Sequence, residues 1–160
     1  CIRDRPLVQE QIQGKEYTTD VLIDLNGKGQ AAIPRLRIEV RAGEVSKGMT
    51  VRNKKLIDFI IDSAEALPGA RGVINIQAFE DEDGEFCISE VNPRFGGGFP
   101  LSYQAGADFP FWLYLMLKGK LFKAKLDSWN EGIVMLRYDD ELIFKADPKL
   151  FNKIISKSVK

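Results

Sequence analysis

Histidine is absent from all 160 residues. That removes imidazole general bases, Ser-His-Asp triads and the common zinc sites together. Cysteine is nearly absent. Cys1 and Cys87 lie far apart, so neither a CxxC site nor a disulfide framework is indicated. No apolar run approaches the ~20 residues of a membrane span, and no signal peptide is visible. Neither sign of charge predominates: Lys plus Arg number 23, as do Asp plus Glu, so no global field recruits nucleic acid or a membrane. A soluble, reducing, cytoplasmic setting is expected. What remains is about one domain, 44% hydrophobic with ten Phe, large enough to bury a core. The chain opens Cys1-Ile2-Arg3-Asp4-Arg5-Pro6 instead of with Met, as a fragment lacking its N-terminal part would.

The densest chemistry sits in two strand-like runs, Gly72 to Phe79 and Glu85 to Val91, flanking Asp83-Gly84. Asp-Gly favours a two-residue type I′ turn. With that turn Glu82 pairs with Glu85, Gln77 faces Glu90, Asn75 faces Asn92, and Phe79 faces Ile88. Opposed side chains have Cβ atoms roughly 4.5–5.5 Å apart, so these oxygens can share a hard divalent cation such as Mg²⁺. They also suit the plain polar end of a half-exposed hairpin. Asn92-Pro93 ends the strand, Arg94 follows, and Gly96-Gly97-Gly98 allows close backbone approach to a ligand. Carboxylate, arginine and glycine loop together are compatible with polyphosphate and metal.

The rest of the chain supplies a scaffold. Lys15 to Leu25 alternates, Asn26-Gly27 is a hairpin signal, and Ala31 to Val40 is the return strand. That register sets Glu16 opposite Arg37 and Thr18 opposite Arg35. Arg41 to Val51, with Gly43, Lys47 and Gly48, is expected as a loop. Asn53 caps a helix whose Ile57, Ile60, Ile61, Ala64 and Leu67 recur at helical spacing, and Pro68-Gly69 ends it. A short helix is expected over Leu101 to Ala105 and an apolar one over Phe109 to Lys118, where Phe111, Trp112, Tyr114 and Leu115 are assigned to the core. Gly132 to Tyr138 reads as a strand, and a final helix begins at Asp147-Pro148 with Lys149, Lys153 and Lys157 on a solvated face. The class is α+β: antiparallel hairpins with helices laid against them.

With Glu10-Gln11-Ile12-Gln13-Gly14-Lys15-Glu16-Tyr17 upstream, Gln77 between, and Glu90-Val91-Asn92-Pro93-Arg94 downstream, the chain resembles the C-terminal lobe of ATP-grasp enzymes. The nearest flavour is the carbamoyl-phosphate-synthase large-subunit-like branch. The resemblance implies that residues 1–122 form that lobe and that 123–160 add a strand and helix to it. It implies an adenine hinge at Glu10 with the backbone of Gln11 and Ile12, and ribose contact at Glu16, although pairing with Arg37 is an equally simple role for Glu16. It implies Gln77, Glu90 and Asn92 as ligands of two Mg²⁺ ions (Mn²⁺ being compatible), with Glu90 bridging, and Arg94 as the catalytic contact to the transferring phosphoryl group. Arg37 and Lys47 are the basic residues assigned to phosphate or acceptor, while Arg35 and Arg41 belong to the same basic stretch.

The reaction so implied is ATP-dependent ligation through an acylphosphate, which needs no protein nucleophile and therefore no histidine. The central lobe with its glycine-rich loop and lysine is missing from these residues, so the fragment alone is expected to be inactive. Gly96-Gly97-Gly98-Phe99 differs from the serine- and arginine-rich loop of true carbamoyl-phosphate synthases, which leaves the acceptor unknown. The alternatives are a nucleotide-binding regulatory module without turnover and a purely structural domain.

Overall fold

The computed structural model describes residues 8–120 and 128–141, together with 143 and 145. Its strands are β1 (Lys15–Ile23), β2 (Gly29–Arg41), β3 (Glu44–Thr50), β4 (Gly72–Glu80), β5 (Phe86–Asn92) and β6 (Val134–Leu136). They form one antiparallel sheet in the order β5-β4-β1-β2-β3-β6. The helices are α1 (Lys54–Glu65), α2 (Phe99–Gln104) and α3 (Phe109–Leu117). The α+β class is as expected. The helix expected from Asp147 lies outside the described residues, as do Cys1 and Leu7.

Asn53 caps α1 as its position suggests, its Oδ1 accepting from Leu56 N at 3.2 Å. Leu56, Ile60 and Ala64 of α1 then pack on Tyr17, Val21, Ala32, Ile74 and Ile76 from one face of the sheet. Because side chains alternate along a strand, Leu22, Ala31 and Ile33 point to the other face. There Phe109, Trp112 and Met116 of α3 cover them, joined by Trp129. Phe111 and Tyr114, assigned to the core from composition, are about half exposed. Helix α3 is apolar all round, but only one stripe of it meets the sheet.

Both long hairpins depart from the two-residue turn. Asp24 accepts the backbone N–H groups of Asn26 and Lys28 at 2.8 and 2.9 Å, and Asp81 those of Asp83 and Glu85 at 3.0 and 2.8 Å. Each aspartate thereby closes a three-residue loop whose last residue, Gly27 or Gly84, has φ of 84° or 76°. A loop one residue longer would slip the pairing and turn every side chain over. A bulge in each hairpin restores it, between Leu22 and Ile23 and between Gln77 and Ala78. Thr18 therefore still faces Arg35, and Gln77 and Asn75 still face Glu90 and Asn92. Between bulge and turn the slip persists, so Phe79 faces Cys87 and not Ile88.

The expected loop from Arg41 to Val51 is instead the strand β3. Ala42 and Gly43, at φ 49° and 82°, make a tight turn in which Arg41 pairs directly with Glu44. Gly48 suggested a loop, but it is a close-approach glycine. A Cβ there would lie 3.2 Å from the Leu36 carbonyl and 3.5 Å from the Leu101 side chain of α2.

Candidate functional site

On the α3 face, β1 and β2 change from apolar to polar toward one end. Along β1 the sequence Leu22, Asp20, Thr18, Glu16 runs from core to surface, and Ile33, Arg35, Arg37 does the same along β2. Across β4 and β5 the matching positions are Asn75, Gln77, Asn92 and Glu90. The placement of β4 beside β1 brings these groups together: Asp20 pairs with Asn75 and Thr18 with Gln77.

The inner layer is fully buried. Arg35 and Asp20 form an ion pair at 2.8 Å, with side chains 2% and 0% exposed. Asp20 also accepts from Asn75 Nδ2 at 2.8 Å, Ser102 Oγ at 3.0 Å and Gly96 N at 3.2 Å. Thr18 Oγ1 donates to Asn75 Oδ1 at 3.1 Å. One carboxylate thus ties together β1, β2, β4, α2 and the glycine loop. Burial lowers the pKa of Arg35; Asp20 opposes that shift, and Arg137 and Arg37 add to it. The glycine run lies against this network. A Cβ at Gly96 would be 2.5 Å from Asn75 Nδ2, and one at Gly98 would be 2.6 Å from Arg35 Nη1. The run was expected to let backbone approach a ligand, yet the partner it approaches here is a buried arginine. Sequence reading missed this layer, because nothing local distinguishes Asp20 or Arg35 from a surface charge.

The outer layer is open. Arg37 Nη1 donates to the Glu16 carboxylate and, at 2.6 Å, to Gln77 Oε1, while Gln77 Nε2 donates to Glu90 Oε2 at 2.5 Å. Glu16, Arg37, Gln77 and Glu90 are therefore one chain of alternating acceptor and donor. The simple pairing of Glu16 with Arg37 is present. Beyond it, a recess of about 60 Å³ is lined by Thr18, Arg37, Glu44, Asn75, Gln77, Arg94 and the glycines 97 and 98. Arg94 reaches this recess, and the only hydrogen bond from its side chain among the described residues goes to the Phe95 carbonyl, at 3.0 Å. At the other end of the face, Glu10, Gln11 and Ile12 border a recess of about 390 Å³ with Phe79, Cys87, Ile88 and Ser89.

A family model described as "ATP-grasp in the biosynthetic pathway with Ter operon" matches residues 3–140. The chain belongs to this ATP-grasp family. No curated protein sequence matches it. Among solved structures, the ATP-grasp chain is similar to biotin carboxylase from Campylobacter jejuni in complex with β,γ-ATP, at TM-score 0.57 and 16% identity, over 71% of this chain and 27% of that one. It is also similar to the phosphoribosylaminoimidazole carboxylase ATPase subunit from Aquifex aeolicus, at TM-score 0.54 and 18% identity, over 65% and 34%. The biotin carboxylase domain of Hydrogenobacter thermophilus 2-oxoglutarate carboxylase, solved with MgADP, ADP and bicarbonate, aligns at TM-score 0.56 and 16% identity, over 73% and 27%. Identities this low bear on fold alone. The chain spans about a third or less of each of these proteins.

Of the ten residues singled out for the ATP-grasp site, Lys47 stands apart. It pairs with Glu39 at 2.5 Å, alongside Arg41 and Ser46, and does not line the recess beside Gln77. The reason is the strand β3, which places Lys47 in register with Glu39 and with Leu136. Hydrogen bonds from Lys47 and Ser46 hold the Glu39 carboxyl at about 2. Among the described residues no cluster of three acids or thiols forms a ready metal site. The local donors are the Glu90 carboxylate, which accepts from Gln77 Nε2, and the amide oxygens of Gln77 and Asn92. Such hard oxygens fit Mg²⁺ when ligand phosphates supply the remaining negative charge. Asn92 Nδ2 is buried and unpartnered, so its amide has no competing bond to hold it.

Proposed function

We propose that this ATP-grasp chain is the C-terminal lobe of an ATP- and Mg²⁺-dependent ligase of the carbamoyl-phosphate-synthase-like kind, joining a carboxylate-type acceptor to an amine or similar nucleophile. The observation that carries this reading is the outer layer itself. Gln77, Glu90, Arg37 and Glu16 are hydrogen-bonded in a row on one open face, with Arg94 across a small recess from them. The reading assigns the larger recess beside Glu10, Gln11 and Ile12 to adenine, where extended backbone can meet the base edge and Phe79 gives apolar contact. Glu16 takes the ribose hydroxyls. Arg37 moves its donors from Gln77 to phosphate oxygens, which frees the Gln77 oxygen.

In the reaction, an acceptor oxygen attacks the γ-phosphorus in line. The bond to the bridging oxygen of ADP breaks, and an acylphosphate forms. The nucleophile then attacks the acyl carbon and inorganic phosphate leaves. Gln77, Glu90 and Asn92 would hold two Mg²⁺ ions (Mn²⁺ suits the same oxygens), which when bound neutralise the β- and γ-phosphates. Arg94 donates to the phosphoryl oxygens as their charge redistributes. The opposite wall of the cleft, the other lobes of the same protein and the cytoplasmic setting are parts of the same proposal, as is the inactivity of this lobe alone.

Titration of MgATP into the full-length protein tests it. Glu90→Ala is expected to weaken metal-dependent binding by at least about tenfold without loss of fold. Unchanged binding would refute the metal assignment. Tight MgATP binding by the wild type with no ADP formed in the presence of carboxylate and amine mixtures would favour a regulatory module.

A further inference from the structure

Arg94 leads into a glycine loop whose local bonds run only to the start of α2, from Phe99 N to Gly96 O at 2.9 Å and from Leu101 N to Gly98 O at 3.0 Å. Gly96, Gly97 and Gly98 carry no side chains, and such a run has large conformational freedom unless it is fastened from outside. It is fastened at two successive residues from two directions. From the sheet, the buried Asp20 accepts from Gly96 N. From the far side, Arg137, the residue after β6, donates from Nη2 to the Gly97 carbonyl at 2.5 Å.

Arg137 is itself well anchored. Its backbone N–H donates to Ser46 O at 2.8 Å, which extends the β3–β6 pairing past Leu136. Its Nη1 lies 3.4 Å from Glu44 Oε2. Glu44 in turn rests on the loop, since a Cβ on Gly97 would meet that same carboxylate oxygen at 2.3 Å. The planar guanidinium fork thus reaches two acceptors at once, the loop carbonyl and the acid that covers it, which a lysine cannot do in fixed geometry. Gly97 and Glu44 both border the recess into which Arg94 reaches.

We propose that Arg137 is a positioning residue that holds the Gly97 carbonyl and so keeps Arg94 directed at the recess beside Gln77. Discrimination between ATP and ADP then depends on a residue that touches neither. The proposal rests on the reading of Arg94 as the contact to the terminal phosphoryl group.

The test is nucleotide affinity of the full-length protein, measured with Mg²⁺ plus either ADP or the β,γ-imido analogue of ATP. Arg137→Met is expected to lower affinity for the ATP analogue about tenfold, the value of one charge-assisted hydrogen bond, and to leave ADP within about twofold. The thermal midpoint is expected to stay near the wild-type value, because the side chain is 40% exposed. Arg137→Lys, with one donor able to reach Gly97, is expected to recover part of the ratio. A ratio unchanged in Arg137→Met, while Arg94→Met lowers it, would overturn the proposal. Equal weakening of both nucleotides would also overturn it, leaving only a structural role. If Arg94→Met itself leaves the ratio unchanged, the reading of Arg94 fails, and the role of Arg137 fails with it.

Discussion

Asp20→Asn is the sharpest probe of how this lobe is held together. Asparagine keeps the shape of the side chain and removes its charge. Arg35, 2% exposed, would then be a buried guanidinium without its counter-charge, and Ser102 would face an amide in place of a carboxylate oxygen. Breaking a buried ion pair from one side costs about 3–5 kcal/mol, because the surviving charge stays desolvated. Against a typical total of about 5–15 kcal/mol this is a large fraction. Urea unfolding of the full-length protein, followed by fluorescence of Trp112 and Trp129 in the core, reads it directly. With a slope of about 1–3 kcal/mol/M, the midpoint should fall by roughly 2 M. The double variant Asp20→Asn, Arg35→Met should recover part of the loss, since it removes the stranded charge. A midpoint within about 0.3 M of wild type for Asp20→Asn alone would refute the account of the network.

Other outcomes follow from the same geometry. Gly96→Ala is expected to cost about 1–3 kcal/mol and to disturb the Arg94 loop, because its Cβ would meet Asn75 and Arg35, which the network holds in place. Gly97→Ala should be milder in the same unfolding assay, because it meets only the end of the exposed Glu44 side chain, which can swing aside. Glu39 offers a pH test: its carboxyl titrates at about 2 in the fold against 4.5 ordinarily. A lowered folded pKa stabilises above the unfolded value and is lost as pH falls, so its contribution should be whole above about 4.5 and decline toward 2. Glu39→Gln should flatten the stability profile in that window, as measured by urea midpoints across pH.

Much of the scaffold was legible from local chemistry. The Asn53 cap and the apolar spacing of Leu56, Ile60 and Ala64 place α1, and alternation places β1 and β2. The register that sets Gln77 against Glu90 was reached from a turn of the wrong length. It survives because a bulge at Ser89 compensates the extra loop residue. Strand β3 was missed because Gly43, Ser46, Lys47 and Gly48 look like a loop in isolation. Only the close approach of the Leu36 carbonyl and the Val45 side chain, at 3.2 and 3.3 Å from a Cβ placed there, shows why a glycine belongs at position 48.

The sequence by itself determined β1, β2, β4, β5 and the helices α1 to α3, the polar residues carried by those four strands, and an ATP-grasp order of motifs. These depend on turn residues, caps and periodicity, which act over a few positions. The hairpin register already set Glu16 against Arg37, but the tertiary structure alone decided the remaining partners and which of them were buried. With β4 beside β1, Asp20 took Arg35, Asn75 and the glycine loop into the interior, and Arg37 was left bridging Glu16 and Gln77 at the open edge. Desolvation, and contacts between segments far apart in the chain, are set by the whole fold, and no local pattern encodes either.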